Sequence, residues 1–264
     1  MDYFVISITA LIVSTLTLFS GFGLGTLLMP AFALFFPIPV AVAATALVHL
    51  ANNIFKVFLV GRQADRRVVL KFAIPAALAA FVGAWLLEVI SGAAPLFAYA
   101  LGERTAEITP VKLIIGALIV GFALLELAPR FESLAFNPRY IPLGGVLSGF
   151  FGGLSGHQGA LRSAFLIRAG LSKEAFIGTM VVSAVVVDVA RLLVYGATFS
   201  GFSGTFVSRG GASGWALVGA GIVAAFAGSM LGARLVKKVT MKTIRLIVGV
   251  MLLALGIALS AGVI

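Results

Sequence analysis

The sequence predicts an all-α polytopic membrane protein with two inverted-topology repeats, glycine-broken helices and roughly 8–10 membrane segments. The first observation is composition: mean hydropathy is +1.16, with 61 % hydrophobic and only 11 % charged residues. The second is that the apolar runs are long and lack the alternation of a β-barrel strand, which favours helices. The third is that one pattern of glycines and cations occurs twice in the chain.

Apolar segments divide the chain into a first repeat at residues 1–135 and a second at residues 136–264 within one membrane domain. The first set lies at roughly 5–20, 24–36, 40–60, 72–91 and 110–128. The second set lies at roughly 140–151, 157–170, 173–195, 214–235 and 243–262. Hydropathy leaves open whether 5–36 forms a helical hairpin, a re-entrant pair or two crossings. In each case a half has an odd number of crossings, so the second half is expected to be inverted.

Loop charges indicate the orientation of these segments. If the segments alternate across the bilayer, most basic loop residues fall on one side, which the positive-inside rule makes cytoplasmic. These residues are Arg62, Arg66, Arg67, Lys71, Arg130, Arg139, Arg168, Lys173, Arg234, Lys237, Lys238 and Lys242. The other side receives Asp2, Glu103, Arg104, Glu107 and Arg209. We therefore expect a multi-pass protein of the cell (inner) membrane with both termini extracytoplasmic.

The duplication begins with two glycine-rich breaks. Ser20-Gly21-Phe22 starts the first break, and Ser148-Gly149-Phe150 starts the second. Each break precedes an apolar helix that carries a cation five residues before a closing glycine. These cations are Lys56 before Gly61 and Arg191 before Gly196. Because the closing glycines are farther apart in sequence than the opening serines, seven additional residues are expected around 155–169 of the second copy.

Two further matches follow in the same order. The stretch 80–83 (Ala-Phe-Val-Gly) matches 225–228 (Ala-Phe-Ala-Gly), and Lys112-x-x-Ile115-Gly116 matches Arg245-x-x-Val248-Gly249. Duplicated, broken apolar segments are typical of secondary transporters whose substrate site lies between the repeats. The breaks and the glycine-bearing helices resemble the sulfite exporter TauE/SafE family, also called the toluene-sulfonate uptake permease family, over nearly the whole chain. The resemblance implies a prokaryotic inner-membrane permease for small sulfur-containing or organic anions.

The third segment carries a polar stripe of Thr45, His49, Asn52, Asn53 and Lys56. Their spacings place them on one helical face. At 1.5 Å per residue, His49 lies about 18 Å from Gly61, near the middle of a hydrocarbon layer about 30 Å thick. His49 is therefore either a buried, hydrogen-bonded histidine or a group with a proton-coupled role.

The equivalent helix of the second repeat has Asp188 at the position of Asn53 and Arg191 at that of Lys56. As part of an anion path, the two cations would approach from opposite sides of the membrane. Alternatively, each cation extends to its own interface, as long basic side chains near helix ends do. Asp188 then forms an intrahelical pair with Arg191, which is also compatible with a gate.

Each glycine break offers an irregular backbone and a half-helix N-terminus, which can bind an anion through its amides and dipole. We expect such backbone to border a polar cavity near the bilayer midplane, since it is tolerated in a membrane only where protein or water surrounds it. The alternative is that these glycines serve helix packing. Arg162 either contacts substrate or anchors its short helix at the cytoplasmic face. The substrate-binding candidates from the breaks are Ser20, Gly21, Gly23, Gly25, Thr26, Gly153, Ser155, Gly156, His157, Gln158 and Arg162.

Other classes of function are less well supported. No Walker A loop, His-Glu-x-x-His motif or paired-carboxylate cluster is found in the sequence, and there is no cysteine. Ser155 and His157 have no evident orienting carboxylate, so we expect neither an enzyme nor a cofactor or metal. A subunit that does not transport would not need mirrored polar residues. The expected partners are a small anionic substrate and the lipid bilayer, not nucleic acid, and a homo-oligomer is compatible with the sequence. We expect export of the anion by alternating access, with proton-coupled uptake as the alternative.

Overall fold

A computed structural model describes residues 1–17, 24–102, 104–128, 134–198, 213–235 and 241–264. In the first half the helices are α1 (Asp2–Thr17), α2 (Leu24–Ala33), α3 (Ile38–Val60), α4 (Arg66–Ser91) and α5 (Pro110–Leu127). In the second half they are α6 (Ile141–Ser155), α7 (Gly159–Leu166), α8 (Lys173–Thr198), α9 (Ser213–Leu235) and α10 (Met241–Ser260). Each predicted apolar segment thus corresponds to one helix, and the prediction of an all-α polytopic membrane protein is confirmed.

Four helical spans in the described residues are long and apolar enough to cross a membrane. They are Ile38–Gln63, Arg66–Ser91, Lys173–Ala197 and Gly214–Gly232. By contrast, α2 and α7 have only 10 and 8 residues. At 1.5 Å per residue each is about 12–15 Å long, roughly half of the hydrocarbon layer. The short helices therefore follow the breaks as half-helices.

The loop between α4 and α5 contains a two-stranded antiparallel hairpin that the sequence analysis did not predict. Strand β1 (Phe97–Leu101) pairs with β2 (Arg104–Ile108) in the register Phe97↔Ile108. Gly102 turns the chain with φ of 62°, a conformation that glycine adopts without steric cost. The Tyr99 hydroxyl donates to the Ala261 carbonyl at 2.7 Å, which attaches the hairpin to the end of α10.

Helix contacts occur in matching pairs across the two halves. Helix α6 packs on α4 as α1 packs on α9, and α8 packs on α4 as α3 packs on α9. Helix α3 also packs on its own counterpart α8, and α5 on its counterpart α10. The chain therefore has the same helix neighbours twice.

Helices α3 and α8 run antiparallel. Near the end of α3, a Cβ added to Gly178 at the start of α8 would lie 2.7 Å from the Val60 carbonyl oxygen. Nearer the middle of both helices, the Asn53 amide donates to the Asp188 carboxylate at 3.3 Å. Since Asn53 and Asp188 have the same sequence offset as Gly61 and Gly196, equivalent positions of the two repeats are in direct contact.

The second break begins later than the sequence analysis placed it. Ser148, Gly149, Gly152 and Gly153 lie inside an unbroken α6, which ends at Ser155. Gly156 then turns the chain with φ of 83°. Gly149 and Gly153 lie against α4, and a Cβ on either of them would collide with a carbonyl oxygen of that helix. These glycines therefore serve close packing of two helices, the alternative left open above.

The corrected break also changes the alignment of the repeats. Ser155-Gly156 follows Ser20-Gly21 at the same sequence offset that relates Gly61 to Gly196, so the predicted seven-residue addition is not needed. Contacts also favour Gly232 rather than Gly228 as the counterpart of Gly83. Gly83 lies against the Phe150 backbone and Gly232 against the Thr15 backbone, and those two partners are again related by this offset.

Candidate anion-binding site

Asp188 on α8 is the centre of a buried polar cluster. Its Oδ2 accepts hydrogen bonds from His49 Nδ1 at 2.6 Å and Asn53 Nδ2 at 3.3 Å, both on α3. Its Oδ1 accepts from Gln158 Nε2 at 2.9 Å and Arg191 Nη2 at 2.7 Å. None of these five residues is more than 5 % exposed. Because an ionised carboxylate only accepts hydrogen bonds, this arrangement places the ring hydrogen of His49 on Nδ1.

Arg191 links α8 to the end of α6. Besides its ion pair with Asp188, its Nη1 donates to the Gly152 carbonyl at 3.1 Å. One turn further along α8, the Tyr195 hydroxyl donates to the Gly153 carbonyl. A cation at a helix C-terminus is favoured by the exposed carbonyls and the helix dipole. Arg191 is fully buried, so the alternative that it extends to the membrane interface is wrong.

Gln158 connects Asp188 to a second cation. The Gln158 side-chain amide donates to Asp188, and its Oε1 accepts from Arg162 Nη1 at 2.7 Å. Arg162 is 5 % exposed, and its Nε has no hydrogen-bond partner among the described residues. This burial argues against an anchoring role for Arg162 at the cytoplasmic face. The unpartnered Nε also leaves one hydrogen-bond donor of Arg162 available inside the site.

Lys56 is the third buried cation. It is 8 % exposed and interacts electrostatically with Arg162. Within the described part of the chain, Lys56 has neither a hydrogen bond nor an ion pair. Asn53 lies three residues before Lys56 on the same helix. The equivalent position in the second repeat, three residues before Arg191, is Asp188. Lys56 therefore lies inside the protein rather than at an interface, and its charge is left uncompensated.

The two breaks meet beside this cluster. A Cβ added to Gly25 in the first turn of α2 would lie 3.2 Å from the Gly156 carbonyl and 3.7 Å from Thr45 Cγ2. The Thr45 hydroxyl is buried and has no partner among the described residues. Ser20, Gly21 and Gly23 lie outside the described residues, as does the side chain of Thr26. The structure thus brings Gly25, Thr45 and Gly156 together.

Ser155 and His157 belong to the second break itself. The His157 Nδ1 lies 3.1 Å from both the carbonyl and the hydroxyl oxygen of Ser155, and the Ser155 hydroxyl donates to the Phe151 carbonyl. The His157 ring stacks on Phe122 with centroids 5.4 Å apart. The carboxylate of Asp188 binds His49 instead of His157, so it does not orient a Ser155–His157 pair.

Asn52 lies in a separate network that joins three helices. Its amide nitrogen donates to Ser14 Oγ of α1 at 3.3 Å, and its oxygen accepts from Ser229 Oγ of α9 at 2.8 Å. Ser14 donates in turn to the Ala225 carbonyl at 2.7 Å. All of these side chains are buried. The prediction that Asn52 lines the site is not supported by these contacts, which attach α3 to α1 and α9.

Sequence reasoning did not find Tyr195, Ser14 or Ser229. Tyr195 carried a usable signal, since it is four residues after Arg191 and so on the same helical face. Single serines in apolar helices carry no such signal. Among the described residues, no group of three His, Asp or Glu side chains is placed to hold a metal ion.

A groove of about 640 Å³ lies between α4 and α6, away from this cluster. Apolar side chains such as Ile74, Leu78, Val146 and Phe150 line it. Its lining is apolar, so this groove is not the polar cavity expected between the breaks. That cavity stays a prediction, because the polar residues of the cluster are closed in on one another.

The chain was compared with protein families, curated proteins and solved structures, and one family matches. No curated protein and no solved structure matches the chain. The family model described as "Sulfite exporter TauE/SafE" matches residues 6–259. The match covers both breaks, both half-helices and every residue of the cluster, and it confirms the resemblance found in the sequence. The chain belongs to the sulfite exporter TauE/SafE family, a family of membrane transporters.

Proposed function

We propose that this protein is a secondary transporter that exports a small sulfur-containing or organic anion, such as sulfite or a sulfonate, by alternating access. The observation that carries the proposal is the pair of buried cations, Lys56 and Arg162, which interact with each other beside the Asp188 cluster. A buried charge without a partner costs several kcal/mol. A bound anion would remove that cost, and so would explain why both cations are kept inside the protein.

The arrangement of the helices supports a site between two inverted repeats. Helices α3 and α8 are antiparallel, and Asn53 touches Asp188 although the two occupy the same position in their repeats. Direct contact between equivalent residues is expected only next to a two-fold axis. We infer that such an axis lies in the membrane plane and passes close to the cluster, as in other transporters with inverted repeats.

Membrane energetics favour export. An interior-negative potential of 100 mV favours outward movement of a monovalent anion by about 2.3 kcal/mol, which corresponds to a gradient of about fifty-fold. Export therefore needs no coupled ion. Both termini would face outward, with the basic loops in the cytoplasm of a cell whose inner membrane holds the protein.

Proton-coupled uptake is the second candidate, and it rests on the contact of 2.6 Å between His49 and Asp188. The groups facing this pair are Asn53 on α3, Gln158 before α7, Arg162 on α7 and Arg191 on α8. If His49 carries the coupled proton, His49→Gln will uncouple transport from a pH gradient. Anion flux that follows the membrane potential alone, in both wild type and variant, would instead support export without a proton.

The direct test is transport in proteoliposomes with labelled sulfite and a panel of labelled sulfonates and carboxylates. We expect wild-type protein to move at least one sulfur oxyanion. Lys56→Gln and Arg162→Gln should each lower the rate at least tenfold, because they remove charge from the site. Lys71→Gln, which changes an exposed lysine on α4, is the matched control and should stay within twofold of wild type. Absence of transport of every anion by correctly folded wild-type protein would contradict the proposal.

A further inference from the structure

The charges of the site do not cancel. Asp188 is the only buried carboxylate among the described side chains, and Arg191 neutralises it through an ion pair of 2.7 Å. Lys56 and Arg162 each add a positive charge, while His49 donates to Asp188 as a neutral ring. The closed cluster therefore has an excess of two positive charges.

The excess arises from two differences between the repeats. In the second repeat the cation Arg191 has the carboxylate of Asp188 three residues before it. In the first repeat the cation Lys56 has Asn53 at that place, and the Asn53 amide donates to Asp188 rather than compensating Lys56. The asparagine thus keeps the charge of Lys56 available. Arg162 has no charged counterpart at the equivalent position, Leu27.

Resting on the proposed function, we infer that the site selects doubly charged anions over singly charged anions of the same chemical class. An anion of charge −2 compensates both Lys56 and Arg162 when the site closes around it. A monoanion leaves one cation buried and unpaired, which is strongly unfavourable in a medium of low dielectric constant. A donor for an oxyanion is also available beside the excess charge, because Arg162 Nε is buried without a partner among the described residues.

The test compares two sulfonates whose charge does not change near neutral pH. Labelled methanedisulfonate carries two charges, and labelled propane-1-sulfonate carries one at a similar size. Initial rates are measured in proteoliposomes at equal, subsaturating concentration, and binding to purified protein is measured by thermal shift. We expect wild-type protein to prefer the disulfonate at least tenfold.

Lys56→Gln is the decisive variant, since it removes one of the two excess cations. We expect the binding preference for the disulfonate, measured by thermal shift, to fall at least fivefold. Asn53→Ala is the matched control, because it changes α3 one turn away without altering the charge, and its preference should stay within twofold of wild type. Arg162→Gln removes the other cation, so it should lower the binding preference in the same way even if Lys56→Gln does not fold.

The outcomes separate the two proposals. Sulfonate or sulfite transport by wild type without preference for the dianion would overturn the charge selection and leave the transport function intact. An unchanged preference in both Lys56→Gln and Arg162→Gln would do the same. Failure of folded wild-type protein to bind or move either probe, sulfite or any other anion of the panel would instead overturn the proposed function.

Discussion

At the scale of single residues, Asp188 and Asn53 occupy the same position in their repeats but have different tasks. Asp188 receives four side-chain hydrogen bonds and balances the charge of a fully buried arginine. Asn53 contributes a neutral donor to Asp188 at 3.3 Å. A charge partner inside a protein is far harder to remove than a neutral hydrogen-bonding group, because the remaining charge loses its only compensation.

We therefore predict that Asp188→Ala and Asn53→Ala differ strongly in stability. Asp188→Ala leaves Arg191 buried without a carboxylate and should cost about 3–5 kcal/mol. Asn53→Ala should cost only about 1 kcal/mol, the usual net value of a neutral hydrogen bond. Thermal unfolding of the purified variants in detergent measures both. Equal losses for the two substitutions would show that Asp188 does not hold Arg191 in the folded protein.

Much of the cluster could be predicted from residue spacing, and its limits have a physical cause. His49, Asn53 and Lys56 follow a helical repeat, so their common face was visible in the sequence, as was the pair of Asp188 and Arg191. Asn52 bonds Ser14 and Ser229 rather than the cluster, because one residue turns a helix by about 100°. That rotation directs it to α1 and α9 instead of α8. The bridge through Gln158 depends on where the break begins, which hydropathy does not reveal.

At the scale of elements, the glycines of α6 illustrate the difference between packing and breaking a helix. Gly145, Gly149 and Gly153 recur every four residues and lie against the α4 backbone. Only Gly156 adopts a left-handed conformation and ends the helix. The packing glycines and the glycine that ends the helix occur within one short stretch of sequence. The sequence analysis therefore predicted a glycine break here, but placed its start about two helical turns before the end of α6.

The packing role predicts an effect of a single methyl group. Gly149→Ala would drive its Cβ into the Ala76 carbonyl oxygen, so α4 and α6 must separate, and we expect a loss of about 1–3 kcal/mol. Gly121→Ala in α5 is the matched control. Nothing lies within 4 Å of its added Cβ, so it should be neutral or stabilise by up to about 1 kcal/mol, through the higher helix propensity of alanine. Thermal unfolding in detergent compares the two, and similar stabilities would contradict close packing of α4 on α6.

At the scale of the whole molecule, the structure shows which helices that are distant in sequence contact each other, and the order of the segments does not specify those contacts. The sequence predicted two halves, and the contacts of α6 with α4 and of α1 with α9 each join one half to the other. The sequence did not indicate that α3 touches α8, because nothing in either segment specifies its neighbour. That contact brings His49 and Asn53 of one half to the ion pair of the other, and so ties the helix that carries Lys56 to the charges from which the proposed selectivity follows.

The proposed inverted arrangement makes a prediction about membrane sidedness that this cysteine-free chain is well suited to test. The end of α3 lies next to the start of α8, so cysteines introduced at the exposed positions Gln63 and Ser172 should both face the cytoplasm. Cysteines at Ala93, after α4, and at Val263, near the C-terminus, should face outward. A membrane-impermeant thiol reagent added to intact cells should therefore label the variants Ala93→Cys and Val263→Cys, but label Gln63→Cys and Ser172→Cys only after the membrane is permeabilised. Labelling of Gln63→Cys and Ala93→Cys from the same side would mean that α4 does not cross the bilayer, and the two-fold axis in the membrane plane would have to be abandoned.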